Sequence, residues 1–279
     1  MTALDVRPAA RRGPVARWRI LVPAAGLAVI ALVSLVGPFF LVDPLDVGAG
    51  EPLSGPSGAH LFGVDQYGMD VLSRVVSAGR IDLLLALSAS AIALVAGIPL
   101  GAFAGYRGGA WDQGLLRVAE SFQAFPTMLL AMGVTLALGP SLPNLVAVIA
   151  VVNIPLYMRL ARSAVIPLRE ADFVLAARCA GRSTFQIVRQ HIVPNIAQVA
   201  IAQFSVTCAW AIQVLAGLSF IGIGVRMPTA EWGSMIRQGT DHMVTGQWWL
   251  SVFPGLAILL TVLALNQIAA AARRWGGPS

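Results

Sequence analysis

The chain has 279 residues, 57% of them hydrophobic and only 11% charged, with a mean hydropathy of +0.76. A water-soluble domain carries about 25% charged residues, so this composition describes a chain solvated mainly by lipid. All 19 basic residues are arginine and none is lysine, which excludes a Walker-type ATP site and lysine Schiff-base chemistry.

An Arg-rich tail (1–19) leads into an apolar stretch near 20–42. The start resembles a signal peptide. However, the apolar part is longer than a signal core and no small-x-small cleavage site follows, so an uncleaved first membrane helix is expected. The next segment, 43–80, carries Asp43, Asp46, Glu51, Asp65 and Asp70. A membrane span needs about 20 mostly apolar residues. Further stretches of that kind lie near 83–105, 121–139, 143–161, 193–222 and 247–272. "GPSLP" between the third and fourth predicts a tight turn and an antiparallel helical hairpin. Trp248 and Trp249, at the start of the sixth, fit an interfacial aromatic anchor. The expected fold class is an all-α membrane protein with six transmembrane helices: one N-terminal helix and a five-helix core over 81–272.

Six spans place both termini on one side. The tails, the loop after the second span and the segment after the fourth hold most of the arginines, while the alternate loops hold Arg74, Arg80, Arg226 and Arg237. The positive-inside rule then predicts a cytoplasmic N-terminal tail (1–19), a cytoplasmic C-terminal tail (273–279) and an extracytoplasmic 43–80 segment. The pI near 10.6 therefore reports topology, and no nucleic-acid partner is expected. Cys179 and Cys208 are too few for a disulfide framework and read as free thiols.

Ion-coupled carriers bury Asp, Glu or His in their spans, and the apolar cores above hold essentially none; Glu120 sits at the entrance of the third. Asn153, Gln198, Gln203, Thr207, Gln213 and Asn266 read as interhelical hydrogen-bonding groups in preference to a substrate path. No G-x-x-x-x-G-K-[ST] is present, so energy for transport must come from another chain. His60, His191 and His242 are scattered and no metal-ligand spacing links them, so no metal, cofactor or catalytic residue is expected in this chain.

"AARCAGRSTFQIVRQHIVPN" (176–195) is a basic, hinged excursion between two apolar spans. Phe173, Ala176, Ala177 and Ala180 fall at helical spacing and predict one smooth apolar stripe. Asp172 reads as its N-cap, and Gly181 as the C′ residue where a left-handed backbone ends a helix. "STFQ" has the form of a capping box opening a second helix, which is bounded near Pro194. The first helix, about nine residues and ~13 Å long, is too short to span. Edged by Arg178, Arg182 and Arg189, it suits docking into a groove on a soluble partner. The bland alternative is a passive basic loop that serves only topology. A DNA-reading helix-turn-helix is dismissed because the second helix runs directly into lipid-facing sequence.

Ala176-Ala177, Gly181 and Pro194 resemble the E-A-A-x-x-x-G-x9-I-x-L-P signature of permease subunits of bacterial ABC importers, with Leu175, His191 and Val193 as departures. They are closer to the "AARALG…RHILPN" form of the dipeptide/oligopeptide/nickel permease family. "HLFGVDQYGMDVLSRVVSAGRIDL" (60–83) is similar to that family's "HPLGTDxxGRDVLSRxxxGARxSL", with Met69 replacing Arg. "LSFIGIGVRMPTAEWGSMI" (218–236) and "WWLSVFPGLAILLTVLALN" (248–266) also resemble its segments.

The resemblance implies a type I importer fold and the role of the second, C-type permease subunit. Its partners would be a homologous permease, two ATP-hydrolysing subunits that hold the ATP and magnesium, an extracytoplasmic binding protein and membrane lipid. The loop 170–191 would present a coupling helix, with Asp172, Phe173, Ala176, Ala177, Arg178, Ala180, Gly181 and Arg182 docking on an ATPase, and a bulky residue at Gly181 would uncouple transport. Asp65, Asp70, Arg74, Glu231 and Trp232 would contact the binding protein, with local structural pairing as the alternative for the first three. The implied cargo is a di- or oligopeptide; nickel, a metal–chelator complex, haem or glutathione are the alternatives within the family. An ion-coupled carrier and a membrane-bound enzyme are the readings outside it.

Overall fold

A backbone in lipid must satisfy its own hydrogen bonds, so long apolar runs become helices. The computed structural model describes residues 15–139 and 141–275, and these are almost wholly helical. Among them the only β pairing is an isolated bridge between Val64 and Asp70. The helices are α1 (Val15–Val36), α2 (Val71–Arg107), α3 (Gly109–Gln123), α4 (Thr127–Leu138), α5 (Leu142–Leu168), α6 (Asp172–Cys179), α7 (Thr184–Ile187), α8 (Val193–Ile221), α9 (Trp232–Met243) and α10 (Trp249–Trp275). Five spans are long and apolar enough to cross a membrane, and a sixth is reached if the bent pair α3–α4 counts as one. Most of the N-terminal tail (1–14) and the end of the C-terminal one (276–279) lie outside the described residues.

Three boundaries differ from those expected. α2 begins at Val71, twelve residues before the predicted span, because Asp70 caps it by accepting from the Ser73 N–H at 2.8 Å. Arg74 and Asp82 in its first turns are buried within the protein, which is why hydropathy alone missed those turns. The predicted third span, 121–139, is broken. α3 and α4 meet at 84° across Ala124–Pro126, where Pro126 removes an N–H and holds the residue before it out of the helical region. Glu120 therefore lies exposed on α3 and not at the entrance of a straight span. Finally, α9 is an additional helix in the loop before α10.

The hairpin turn appears as expected. Gly139 takes φ +83° after α4, Ser141 caps α5, and the two helices pack together. α7 and α8 form one nearly continuous helix from Thr184 to Ile221, interrupted by a π turn at Val188–Ile192. Pro194 would drive its ring against the carbonyl of Gln190 in a regular α-helix, and the widened turn relieves that clash.

α2 and α5 form the most extensive pairing. Ala89, Ala93, Gly97, Gly101 and Gly105 recur every four residues along one face of α2, and all are buried. A Cβ at Gly101 would lie 2.0 Å from the Met158 carbonyl oxygen, and one at Gly97 2.6 Å from Tyr157 Cβ. Backbones in lipid approach this closely only where small residues leave room. Two buried clusters result. One joins α2, α5, α8, α9 and α10; the other gathers the far end of α2 with α5, α6 and the start of the α7–α8 helix. Two of the six polar groups expected to bond between helices turn back on their own: Asn153 donates to the Ile149 carbonyl and Thr207 to that of Gln203.

Candidate functional site

α6 closes with a complete Schellman motif. The Gly181 N–H donates to the Arg178 carbonyl at 2.9 Å, the Arg182 N–H reaches back to that of Ala177 at 3.2 Å, and Gly181 takes φ +73°. A Cβ on Gly181 would meet nothing within 4 Å. The constraint on this residue inside the chain is thus its left-handed backbone and not its size. Two residues on, Ser183 and Gln186 form the expected reciprocal capping box. Helix, left-handed turn and second helix start are all locally encoded.

The expected stripe splits in two. Val174 and Ala177 turn inward against Tyr106, Val165, Ile187 and Ile192, with Ala177 only 7% exposed. Phe173, Leu175, Ala176 and Ala180 remain exposed, and Phe185 beyond the turn is 67% exposed. Ala177, expected on the docking stripe, instead packs inside the chain, because the eight-residue helix turns one side to the bundle. Asp172 is exposed but is the first helical residue, not the cap; Ala171 holds the cap position with no side-chain bond.

Two of the three arginines, Arg178 and Arg182, are tied back into the chain. Arg178 Nε donates to Tyr106 Oη at 2.8 Å, and its guanidinium carbon lies 4.9 Å from the centre of that ring. Arg182 donates to Gln190 Oε1. Nearby, Arg162 of α5 holds both carboxylate oxygens of Asp112, the second at 2.7 Å, fixing α3 beside α5.

At the other end of α2 the loop 40–70 and α9 are locked down. Asp65 accepts from the Tyr67 and Met69 N–H groups and faces Arg74 Nε at 3.5 Å. Asp70 accepts from Ser73 and pairs with His60 Nδ1 at 3.0 Å. Glu231 caps α9 by accepting from the Gly233 and Ser234 N–H groups, both at 2.8 Å. Trp232 bolts α9 to α2: its N–H donates to Asp82 Oδ2 at 3.1 Å and its Nε1–H to the Val75 carbonyl at 2.9 Å. Burial pushes the Glu231 carboxyl above its ordinary range despite the two N–H bonds that favour its charged form.

All five residues expected at a binding-protein contact are buried: Asp65 7%, Asp70 5%, Arg74 1%, Glu231 0% and Trp232 1% exposed. Their bonds run within the chain, while Leu61 and Tyr67 beside them are exposed. Trp249 is likewise buried, bonding the Val64 carbonyl, which leaves Trp248 as the exposed aromatic. Asp82 and Tyr106 escaped the sequence reading. Asp82 lay one residue before the predicted span, and Tyr106 carries no signal apart from its place before the Gly108-Gly109 break. Among the described residues no group of three or more His, Cys, Asp or Glu could hold a metal.

Residues 97–278 match the family described as the inner membrane component of binding-protein-dependent transport systems. The chain belongs to that family. This permease is 39% identical over 216 residues to the dipeptide transport system permease protein of Alkalihalophilus pseudofirmus, covering 77% of this chain and 71% of that one. It is 39% identical over 214 residues to the di/tripeptide transport system permease protein of Pseudomonas aeruginosa, 77% and 70% of the two chains. To the nickel transport system permease protein of Escherichia coli it is 33% identical over 259 residues, 92% and 93%. The permease thus has the type I ABC importer fold in a membrane protein, and the short α6 between α5 and α7–α8 is the element the signature residues build.

Proposed function

We propose that this permease is half of the translocation path of an ATP-driven importer of di- or oligopeptides. α6 docks on one of two ATP-hydrolysing partner chains, a second homologous permease completes the path, and a binding protein delivers cargo to the end carrying α9. Phe173, Ala176 and Ala180, exposed along one side of α6 and its C-cap at the Schellman turn, carry this reading: a short helix holds apolar and small side chains in water, with Leu175 exposed on the other side. An exposed apolar patch with a fixed frame is what a partner groove requires. The asymmetry of the arginines supports placing α6 and both termini in the cytoplasm. The peptide relatives, at 39% identity, support peptide cargo over nickel, at 33%. Nickel stays the second reading because that relative matches over the greater length.

The test is gentle affinity purification of the tagged chain from its native membranes, with partners identified by mass spectrometry. Wild type should bring down a second permease and ATPase chains. Ala176→Arg, an exposed change, and Gly181→Val, a change of backbone preference, should each lose the ATPases while keeping the second permease. Recovery of the chain alone or only with copies of itself would sink the importer reading. Uptake of labelled dipeptide against labelled nickel in cells carrying the whole system separates the two cargoes.

A further inference from the structure

The inner side of α6 carries a connection that docking does not explain. Arg178 is the last basic residue of the helix, yet its Nε points back at Tyr106 Oη, 2.8 Å away, with the guanidinium over the phenol ring. Tyr106 is 8% exposed and stands in the last turn of α2. Among the described residues this is the one hydrogen bond from an α6 side chain to a spanning helix; the remaining inward contacts, from Val174 and Ala177, are apolar and carry no directional bond.

α2 is a suitable receiver. It runs 37 residues, about 55 Å at 1.5 Å each, and its glycine face grips α5 backbone to backbone. Its opposite end is bolted to α9 through Val75 and Asp82. Pro99 interrupts the hydrogen bonding of α2 between its two ends, and the grip on α5 spans that point. A pull on Tyr106 therefore acts on the α2–α5 pair as a body that reaches the far side of the bundle. A guanidinium is suited to such a joint because it keeps its charge at any working pH and binds both by its N–H fork and by its face.

Resting on the importer reading above, we infer that Tyr106–Arg178 is the latch through which displacement of α6 is passed to α2, making both positioning residues for coupling. A docking role for Arg178 and a latch role predict different losses. Removing a docking contact weakens ATPase binding; removing a latch leaves binding intact and lets ATP turn over without moving cargo.

The experiment uses the complete importer in proteoliposomes, with Tyr106→Phe, Arg178→Gln, the double variant and Arg178→Lys, and measures bound ATPase, ATP turnover and cargo taken up per ATP. Tyr106→Phe keeps the ring and its packing, so folding is preserved. Each single change should retain the ATPases and lower uptake per ATP about tenfold, the scale of one charge-assisted hydrogen bond. The double variant should be no worse than either single, as partners in one contact require. Arg178→Lys, which keeps charge over the ring but loses the fork, should fall between. Unchanged uptake per ATP, additive losses, or ATPases shed by Arg178→Gln alone would each overturn the latch. A wild-type chain that binds no ATPase overturns the importer reading itself, so the two failures are told apart.

Discussion

Glu231 and Gly181 both occupy motif positions, and the structure gives each a cause other than surface contact. Gly181 is fixed by φ +73°; an L-residue there costs roughly 1–2 kcal/mol, while the space around it is open. Glu231 is wholly buried and its carboxyl is raised by that burial, with the N–H groups of Gly233 and Ser234 only partly offsetting it. A carboxyl raised in the folded state holds its proton when the unfolded chain has lost it. Its contribution to stability is therefore full below the ordinary glutamate range, about 4.3, and declines as pH rises towards the folded value. Glu231→Gln removes the titration and keeps one acceptor for the helix start. The melting-temperature advantage of wild type over Glu231→Gln should be largest near pH 4 and shrink towards pH 8, as read by thermal unfolding of the detergent-solubilised protein. An advantage that is flat or grows with pH would contradict the assignment.

The glycine face of α2 governs its pairing with α5, and it separates three substitutions that sequence treats alike. A Cβ at Gly101 would sit 2.0 Å from backbone oxygen of Met158, which cannot swing away. At Gly105 the nearest atom is the Arg162 carbonyl oxygen at 2.9 Å, a smaller intrusion. At Gly114 on α3 nothing lies within 4 Å, so alanine there gains helix propensity, about 0.5–1 kcal/mol. The yield of monodisperse protein and its melting temperature should rank Gly114→Ala at or above wild type, then Gly105→Ala, with Gly101→Ala lowest. Equal behaviour at Gly101 and Gly114 would show that the close approach is not what joins the helices. The same scale shows what the sequence could and could not disclose. The Schellman turn, the capping box, the α4–α5 turn and five apolar spans depend on local preferences, and all were legible. The break at Pro126 was visible as a residue but was overridden by the continuous hydropathy around it. The division of α6 into inner Val174 and Ala177 and outer Phe173 and Ala176 was not legible, because which side faces the bundle is decided by Tyr106 and Ile187, distant in the chain. Local pairing of Asp65 with Arg74 was the alternative reading and is what the structure shows, whereas burial of Glu231 was hidden: charge reads as surface until the partners that satisfy it are known.

For the whole molecule, α2 decides how the two ends relate to the membrane. At about 55 Å it exceeds the ~30 Å hydrocarbon thickness, so crossing along α2 would leave the loop before it and the α6 region beyond it on opposite sides. The two natural cysteines make this testable. Cys179 on α6 is exposed, whereas Cys208 in α8 is 1% exposed and should stay silent in folded protein. Leu61, in the loop at the other end, is 63% exposed and accepts a cysteine without loss of packing. A membrane-impermeant maleimide should label Leu61→Cys in a Cys179→Ser background from outside intact spheroplasts and leave Cys179 of the wild type unlabelled. Inverted vesicles should reverse the pattern if α6 lies on the cytoplasmic face, as proposed above from the arginine distribution. Co-expression of the ATPase partners should then protect Cys179, because it shares the short helix with Phe173 and Ala176, while labelling at residue 61 stays the same. Labelling of both sites from one side would refute the spanning role of α2. The reversed pattern would keep that role but invert the molecule, taking α6 away from any cytoplasmic ATPase.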